Sequence, residues 1–332
     1  MSVGMYALMF VASVVITLGG CALFTNGIEW LGKRLHVSEG AVGSVFAALG
    51  TTLPETSIPI IAIFFGKGRE QAEVGLGAIL GAPFMLSTLV IPILAGLLLL
   101  YARLGKRSAS FKLDYRDVRT DLGFFLIGYG LAVVCAFVPS RPLHYATGAG
   151  LIALYIYYMR LKFAAEPEGE SHLDPLFFAK SRAVPPYGLI ALQGVIGLVG
   201  LAAGAHLFVS AAEGIATQLQ VSPLLLALLI APLATELPEM SNSFLWLYQK
   251  KDTLAVGNVT GAMVFQGTFP VTIGLFGTNW HLGDSALMTM GLAMVAGVLC
   301  MAQVLGGGHW RPRLLTGLAV LYLAFTIYVW RA

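Results

Sequence analysis

The chain has 332 residues, of which 57% are hydrophobic and only 11% charged, and its formal net charge is +3. A soluble globular domain carries about 25% charged residues, and the mean hydropathy here is +0.81. A soluble enzyme, a disordered chain and a nucleic-acid binder are therefore excluded, and an all-α polytopic membrane protein is the class that fits.

Apolar stretches run over 5–31, 39–65, 71–101, 120–138, 143–163, 186–213, 222–248, 252–278, 285–305 and 312–330. Each is close to or above the roughly 20 residues that a helix needs to cross a bilayer. The short alternating segments of a membrane barrel are not seen. The longest connections, 102–119 and 164–185, are too short for separate domains, so the chemistry must lie in the membrane or at its faces. With the N-terminus outside, ten spans put 16 Lys and Arg residues on inner connections and only Lys67, Arg69, Arg141 and Arg331 on the outer side. That is the positive-inside pattern. It predicts an integral plasma (inner) membrane protein with both termini extracytoplasmic. Leu18-Gly19-Gly20-Cys21 looks like a lipoprotein cleavage box, but residues 1–17 hold no Lys or Arg, so the basic start of a signal peptide is missing. Cys21, Cys135 and Cys300 are scattered through apolar stretches and imply neither a disulfide framework nor a metal site.

Shifting the sequence by 184 residues uncovers an internal repeat, with 14 identities in the 38 positions from Gly20 to Ser57. Among them, Thr51, Leu53, Pro54 and Glu55 meet Thr235, Leu237, Pro238 and Glu239. After a four-residue gap, Gly77 and Gly81-Ala82 meet Gly257 and Gly261-Ala262. Each copy holds five spans, and an odd number makes the second copy enter from the opposite side. The expected architecture is thus ten transmembrane helices in two inverted five-helix repeats. Residues 1–163 form one half, 164–185 a linker on the inner side, and 186–332 the other half. Inverted repeats are common in secondary transporters, which place the ion site near the midplane.

The repeated segments carry the chemistry. Glu55, Glu236 and Glu239 fall mid-span, where a carboxylate costs about 2.5–3.5 kcal/mol on insertion scales. They must face a cavity and be matched by cations or protons. Pro54 and Pro238 have no N–H, so the carbonyls of Gly50 and Ala234 lose their helical partners. With those of Ala48 and Pro232, they are candidate backbone ligands. Thr51 and Thr235 stand one turn before Glu55 and Glu239 on the same face. Carboxylate, hydroxyl and carbonyl oxygens suit hard cations, and no His or Cys joins them to suggest Zn²⁺ or Cu⁺. The Gly-rich stretches of spans three and eight would let these helices pack closely on the Pro-Glu helices, bringing Asn258 and Gln266 within reach.

These motifs resemble the sodium/calcium exchanger family of the cation/Ca²⁺ exchanger superfamily. In that family each repeat carries a Gly-Thr-Ser-Leu-Pro-Glu-like segment, followed one helix later by Gly-Asn-x-x-Gly-Ser-Asn-x-x-Asn/Asp. The resemblance implies cation ligands at Thr51, Glu55, Thr235 and Glu239, with Glu55 and Glu239 holding the transported ion; Thr52, Glu236 and Gln266 stand at or beside family ligand positions and are candidate ligands by their own oxygens. This sequence departs from the pattern at Ala82, Leu86, Ala262 and Gln266, where side-chain ligands of the family stood. It adds Glu236, the twin of Thr52, where the family has a hydroxyl. Several sodium-ligand oxygens are thus missing and one carboxylate is extra.

The expected function is a secondary antiporter, not an enzyme, which exchanges Ca²⁺ or another divalent cation for Na⁺ by alternating access. The alternative is H⁺ coupling through Glu55, Glu236 and Glu239, because three carboxylates around one site cannot all stay ionised without a cation. A cation channel or an intramembrane enzyme would be remote alternatives. All six aspartates (Asp114, Asp117, Asp121, Asp174, Asp252, Asp284) are expected in or beside loops, and no nucleophile motif is present. No cofactor is implied beyond the transported ions. The partners expected are lipid and inorganic cations, with no nucleic acid and a monomer sufficient for transport. Glu29 and Glu213, twins near span ends, are expected to be structural. His206 should be a packing residue and 164–185 a solvated linker.

Overall fold

The computed structural model describes residues 3–65, 69–165, 173–218 and 236–331. All regular structure among them is helical. Helix α1 is Val3–Leu35. Rod α2 joins four consecutive pieces, Glu39–Ala41, a π-helical segment Val42–Ala47, Ala48–Ile60 and a second π segment Ile61–Phe65. Rod α3 joins Arg69–Met85, the π segment Leu86–Val90 and Ile91–Arg103. Then come α4 (Tyr115–Ala136), α5 (Arg141–Ala164), α6 (Tyr187–Gln218) and α7 (Leu237–Tyr248). Rod α8 runs Asp252–Gln266 and, after Gly267-Thr268, Phe269–Gly277. Helix α9 is Asp284–Gly307, and α10 is made of Pro312–Thr316 and Ala319–Arg331. Among the described residues six helices are long and apolar enough to cross a membrane: Gly4–Leu35, Gly75–Arg103, Tyr115–Ala136, Tyr187–Phe208, Asp252–Gly277 and Asp284–Gly307. Pro312–Tyr328 is a shorter apolar one.

Helix α8 is the axis of the bundle, with every residue from Leu254 to Gln266 buried. It can sit there because its glycines let backbone meet backbone. A Cβ on Gly261 would strike the Ser44 backbone in the first π segment of α2, and one on Gly43 would stand 2.9 Å from the Leu254 carbonyl. The Gly-rich stretch of α8 thus packs on the Pro-Glu rod α2, as expected. Its counterparts in α3, Gly77 and Gly81, meet no neighbour among the described residues.

Helices α1 and α6 lie against each other antiparallel, with Thr17 at Gly204, Gly20 at Leu201, Phe24 at Gly197 and Gly27 at Gly194. The opposite face of α1 exposes Leu8, Val11, Val15 and Leu18, as expected for a helix facing lipid. The seam between the two is closed to side chains. A Cβ on Gly197 would lie 2.7 Å from the Phe24 Cα, whereas one on Gly19 would meet nothing within 4 Å. Gly197→Val should therefore destabilise the protein by about 1–3 kcal/mol, the usual cost of overpacking, and Gly19→Val should be neutral. Thermal melts of the two detergent-solubilised variants check this, and equal melting temperatures would refute the seam.

Buried charges tie the helices together. Asp121 overturns the expectation that every aspartate lies in or beside a loop. It sits in the second turn of α4 and is 1% exposed. It accepts from Ser44 (2.9 Å, α2), Tyr158 (2.9 Å, α5) and Thr260 (2.6 Å, α8), and pairs with Lys162 of α5 at 2.8 Å. Lys162 also reaches Asp117 at 2.9 Å. Asp252, the first residue of α8, pairs with Arg107 and accepts from the Lys112 amide at 2.8 Å. His206, expected to pack, is exposed on α6, because the small residues of that helix, not the imidazole, face α1.

The linker also departs from expectation. Residues 173–182 form a strap folded onto the ends of α1 and α6, with Leu176 fully buried. The Asp174 carbonyl accepts from Trp30 Nε1 (2.9 Å) and Asn26 Nδ2 (3.3 Å). The amides of Phe177 and Phe178 donate to Asn26 Oδ1 (3.3 Å) and Gln193 Oε1 (3.0 Å). Gln193 Nε2 then bonds Asn26 Oδ1 at 2.9 Å and the Leu23 carbonyl at 3.0 Å.

Candidate cation site

The second Pro-Glu segment opens α7. Glu236 is the N-cap residue, Pro238 occupies the first turn, and Glu239 follows one residue later. Both acids are 0% exposed, and none of their four carboxylate oxygens has a hydrogen-bond partner among the described residues. Polar side chains of other rods approach them. Gln266 at the end of the first α8 segment faces Glu236, and Thr51 of α2 faces Glu239.

The threonine hydroxyls nearby are committed to the backbone of their own helix. The Thr51 hydroxyl donates to the Ala47 carbonyl (3.0 Å), and that of Thr52 to the Ala48 carbonyl (2.7 Å). A hydroxyl whose proton is committed to the backbone of its own helix can only accept or coordinate. The Ala48 carbonyl, a candidate ligand from the sequence, thus already takes the Thr52 proton. Gln266 is 3% exposed, and its Oε1 has no partner among the described residues. The Asn258 amide of α8 has a fixed orientation. Its Nδ2 donates to the Glu239 carbonyl (3.0 Å) and to Ser243 Oγ (3.0 Å), leaving Oδ1 unpartnered. Because the carbonyl can only accept, the amide must turn its nitrogen that way.

Of the residues expected at the site, Thr51, Thr52, Glu236, Glu239 and Gln266 are buried side chains of the α2, α7 and α8 core. Gly50 lies under the Phe24 ring of α1, with no room for a Cβ. The backbone of Glu55 lies in Ala48–Ile60, but its side chain lies outside the described part, as do Pro232, Ala234 and Thr235 entirely. Among the described residues no three acids, histidines or cysteines cluster as a metal site; two acids surrounded by neutral oxygens are what the core holds. Asn242 escaped the sequence reading. It is 0% exposed, and both amide atoms lack a partner among the described residues. Its place three residues after Glu239, on the same helical face, was the available clue.

The comparisons agree with this architecture. The sequence pattern of the family described as sodium/calcium exchanger protein matches residues 5–164 and 189–331. The chain is 26% identical over 270 residues to CaxA of Alkalimonas amylolytica, a protein named provisionally as an antiporter; the match covers 77% of this chain and 78% of that one. It is 23% identical to the uncharacterized membrane protein MJ0091 of Methanocaldococcus jannaschii, over 95% of this chain and 96% of that one. Its fold superposes on the sodium-calcium exchanger NCX_Mj with a TM-score of 0.75 at 20% identity, covering 97% of this chain and 99% of the other. With the family pattern matched on both sides of the strap, the chain belongs to the sodium/calcium exchanger protein family, whose members are transporters and not enzymes.

Proposed function

We propose that the protein is a secondary active antiporter that carries Ca²⁺, or another divalent cation, across a plasma membrane in exchange for Na⁺. The observation that carries this is the pair Glu236 and Glu239, fully buried, unpartnered among the described residues and neighboured by Gln266 and Thr51. An uncompensated buried charge costs several kcal/mol, so the acids are stable only when a cation or proton sits with them. A site that is stable in two loaded forms and unstable without either ion is suited to obligatory exchange. In the proposed topology ten helices cross the membrane in two inverted halves, 1–163 and 186–332, with the N-terminus outside. Supporting it are the antiparallel seam of the twin helices α1 and α6, the family match on either side of 165–188 and the bias of Lys and Arg.

Glu236 favours a second reading, in which H⁺ is the coupling ion. It adds an acid beside Glu239 where its twin Thr52 carries a hydroxyl, and two acids at one site titrate as a coupled pair. Radiolabelled Ca²⁺ uptake into proteoliposomes, driven by an outward Na⁺ gradient in one set and an outward H⁺ gradient in another, separates the two. Uptake in neither set would reject calcium antiport. The proton reading further expects Glu236→Thr to flatten the pH dependence of uptake. An unchanged pH profile in that variant would remove Glu236 from the coupling step.

A further inference from the structure

The polar face of α7 continues past the two acids. Asn242 and Trp246 follow Glu239 by three and seven residues, so the three share one side of the helix at successive turns. Buried side-chain amides in folded proteins are hydrogen-bonded as a rule, yet at 0% exposure both polar atoms of Asn242 lack a partner among the described residues. Its twin in the first repeat is Ile58, so the repeat accepts an apolar side chain at this register. An amide here therefore has some purpose other than packing.

Beyond Asn242 the line reaches the surface. Trp246 Nε1 donates to Glu29 Oε1 at 2.7 Å, and Lys251 Nζ holds Glu29 Oε2 at 2.6 Å. The Glu29 side chain is 5% exposed and that of Lys251 is 23% exposed. Lys251 thus stands at the end of the bundle where Lys33, Arg34 and Lys250 also lie. From the interior outward the order is Glu236, Glu239, Asn242, Glu29 and Lys251. Three residues of helix advance about 4.5 Å. A cation leaving Glu239 along this face would meet the Asn242 oxygen one turn on and the Glu29 carboxylate after that. Glu29 is held meanwhile by the ammonium of Lys251.

We infer that Asn242 is a second coordination station for the transported cation, and that the Glu29–Lys251 pair closes the route from it to the basic end of the bundle. The inference rests on the reading of Glu236 and Glu239 as a cation site. The lysine serves as an internal substitute cation: while it occupies Glu29 the path is shut, and a cation arriving from the basic side must displace it.

Thiol labelling tests this without relying on transport. Asn242→Cys would be introduced into a chain with Cys21, Cys135 and Cys300 replaced by Ala, reconstituted, and exposed on each face in turn to a small cationic methanethiosulfonate. The introduced thiol should react from the basic face only, and Ca²⁺ should slow the reaction. Adding Lys251→Gln should speed it at least about tenfold, the equivalent of one charge-assisted hydrogen bond. A thiol inert from the basic face in both backgrounds, or reactive only from the other face, would overturn the route. As a second measurement, Asn242→Leu should raise the half-saturating Ca²⁺ about tenfold from the basic face and leave the other face unchanged, one ligand being worth about that much. An equal shift on both faces, or none, would remove Asn242 as a station. Uptake by Glu239→Gln, run in parallel, keeps the two ideas apart. If that variant still transports, the cation reading itself fails; if it does not and the thiol is inert, only the station fails.

Discussion

Glu239→Gln should lower Ca²⁺ uptake about a hundredfold or more, the loss of one charged ligand at a dry site being worth about 3 kcal/mol. The same change should leave the cation-free protein at least as heat-stable as before. Both expectations have one cause. The carboxylate of Glu239 is fully buried and has no partner among the described residues, so no ion pair is broken when its charge is removed, and an uncompensated buried charge is relieved. The amide is nearly the same size, and Asn258 holds the backbone carbonyl of residue 239 rather than its side chain, so the packing of α7 on α8 is undisturbed. Uptake assays and melting curves with and without Ca²⁺ check the pair of outcomes. Ca²⁺ should raise the melting temperature of the parent protein, since a ligand stabilises the state that binds it, and should not raise that of the variant. A variant that transports within threefold of the parent would remove Glu239 from the site.

Asp121→Ala should produce the opposite profile, a large loss of stability with no direct effect on ion affinity. Four groups from three other rods converge on this carboxylate, Ser44, Tyr158, Lys162 and Thr260. Removing it strands the ammonium of Lys162, whose side chain is 2% exposed and would keep only the partly exposed Asp117. Breaking one partner of a buried pair costs about 3–5 kcal/mol, whereas replacing both by apolar groups is often close to neutral. Asp121→Ala combined with Lys162→Met should therefore recover much of what the single change loses. Melting of the two detergent-solubilised variants measures this. A single variant that melts with the parent would show that the hub does not hold α2, α4, α5 and α8 together.

The fold was readable where hydrophobicity and local chemistry agreed. Residues 39–65 form a continuous rod because the apolar run is long and Ser38 caps its start, accepting from the Ala41 amide at 3.2 Å. Thr51 and Glu239 were legible because the repeat matches them to Thr235 and Glu55, and Glu236 because a mid-span acid has few bland explanations. Asp121 was hidden by its surroundings. It follows Asp114, Arg116, Asp117 and Arg119, a charge density that reads as a loop, yet the helix had already begun at Tyr115. The clue was its phase: Asp121, Phe125 and Tyr129 recur every four residues and all are buried. Asn242 was hidden by the repeat itself, since comparison with Ile58 drew attention to shared residues and passed over differing ones. The strap was unreadable for another reason. It is fixed largely by its own backbone groups, which every sequence supplies.

That last property separates what the strap may change from what it must keep. Asn26, Trp30 and Gln193 grip the carbonyl of residue 174 and the amides of 177 and 178, and those atoms do not depend on which side chains the strap carries. The gripping side chains on α1 and α6 are irreplaceable in kind, while much of the strap is free to drift, Leu176 with its buried side chain excepted. Among diverging copies of this protein the connection between the two halves can lose its resemblance within a few substitutions and still bind the same two helix ends. Its persistence would be recorded in Asn26 and Gln193, far from the segment that performs the work.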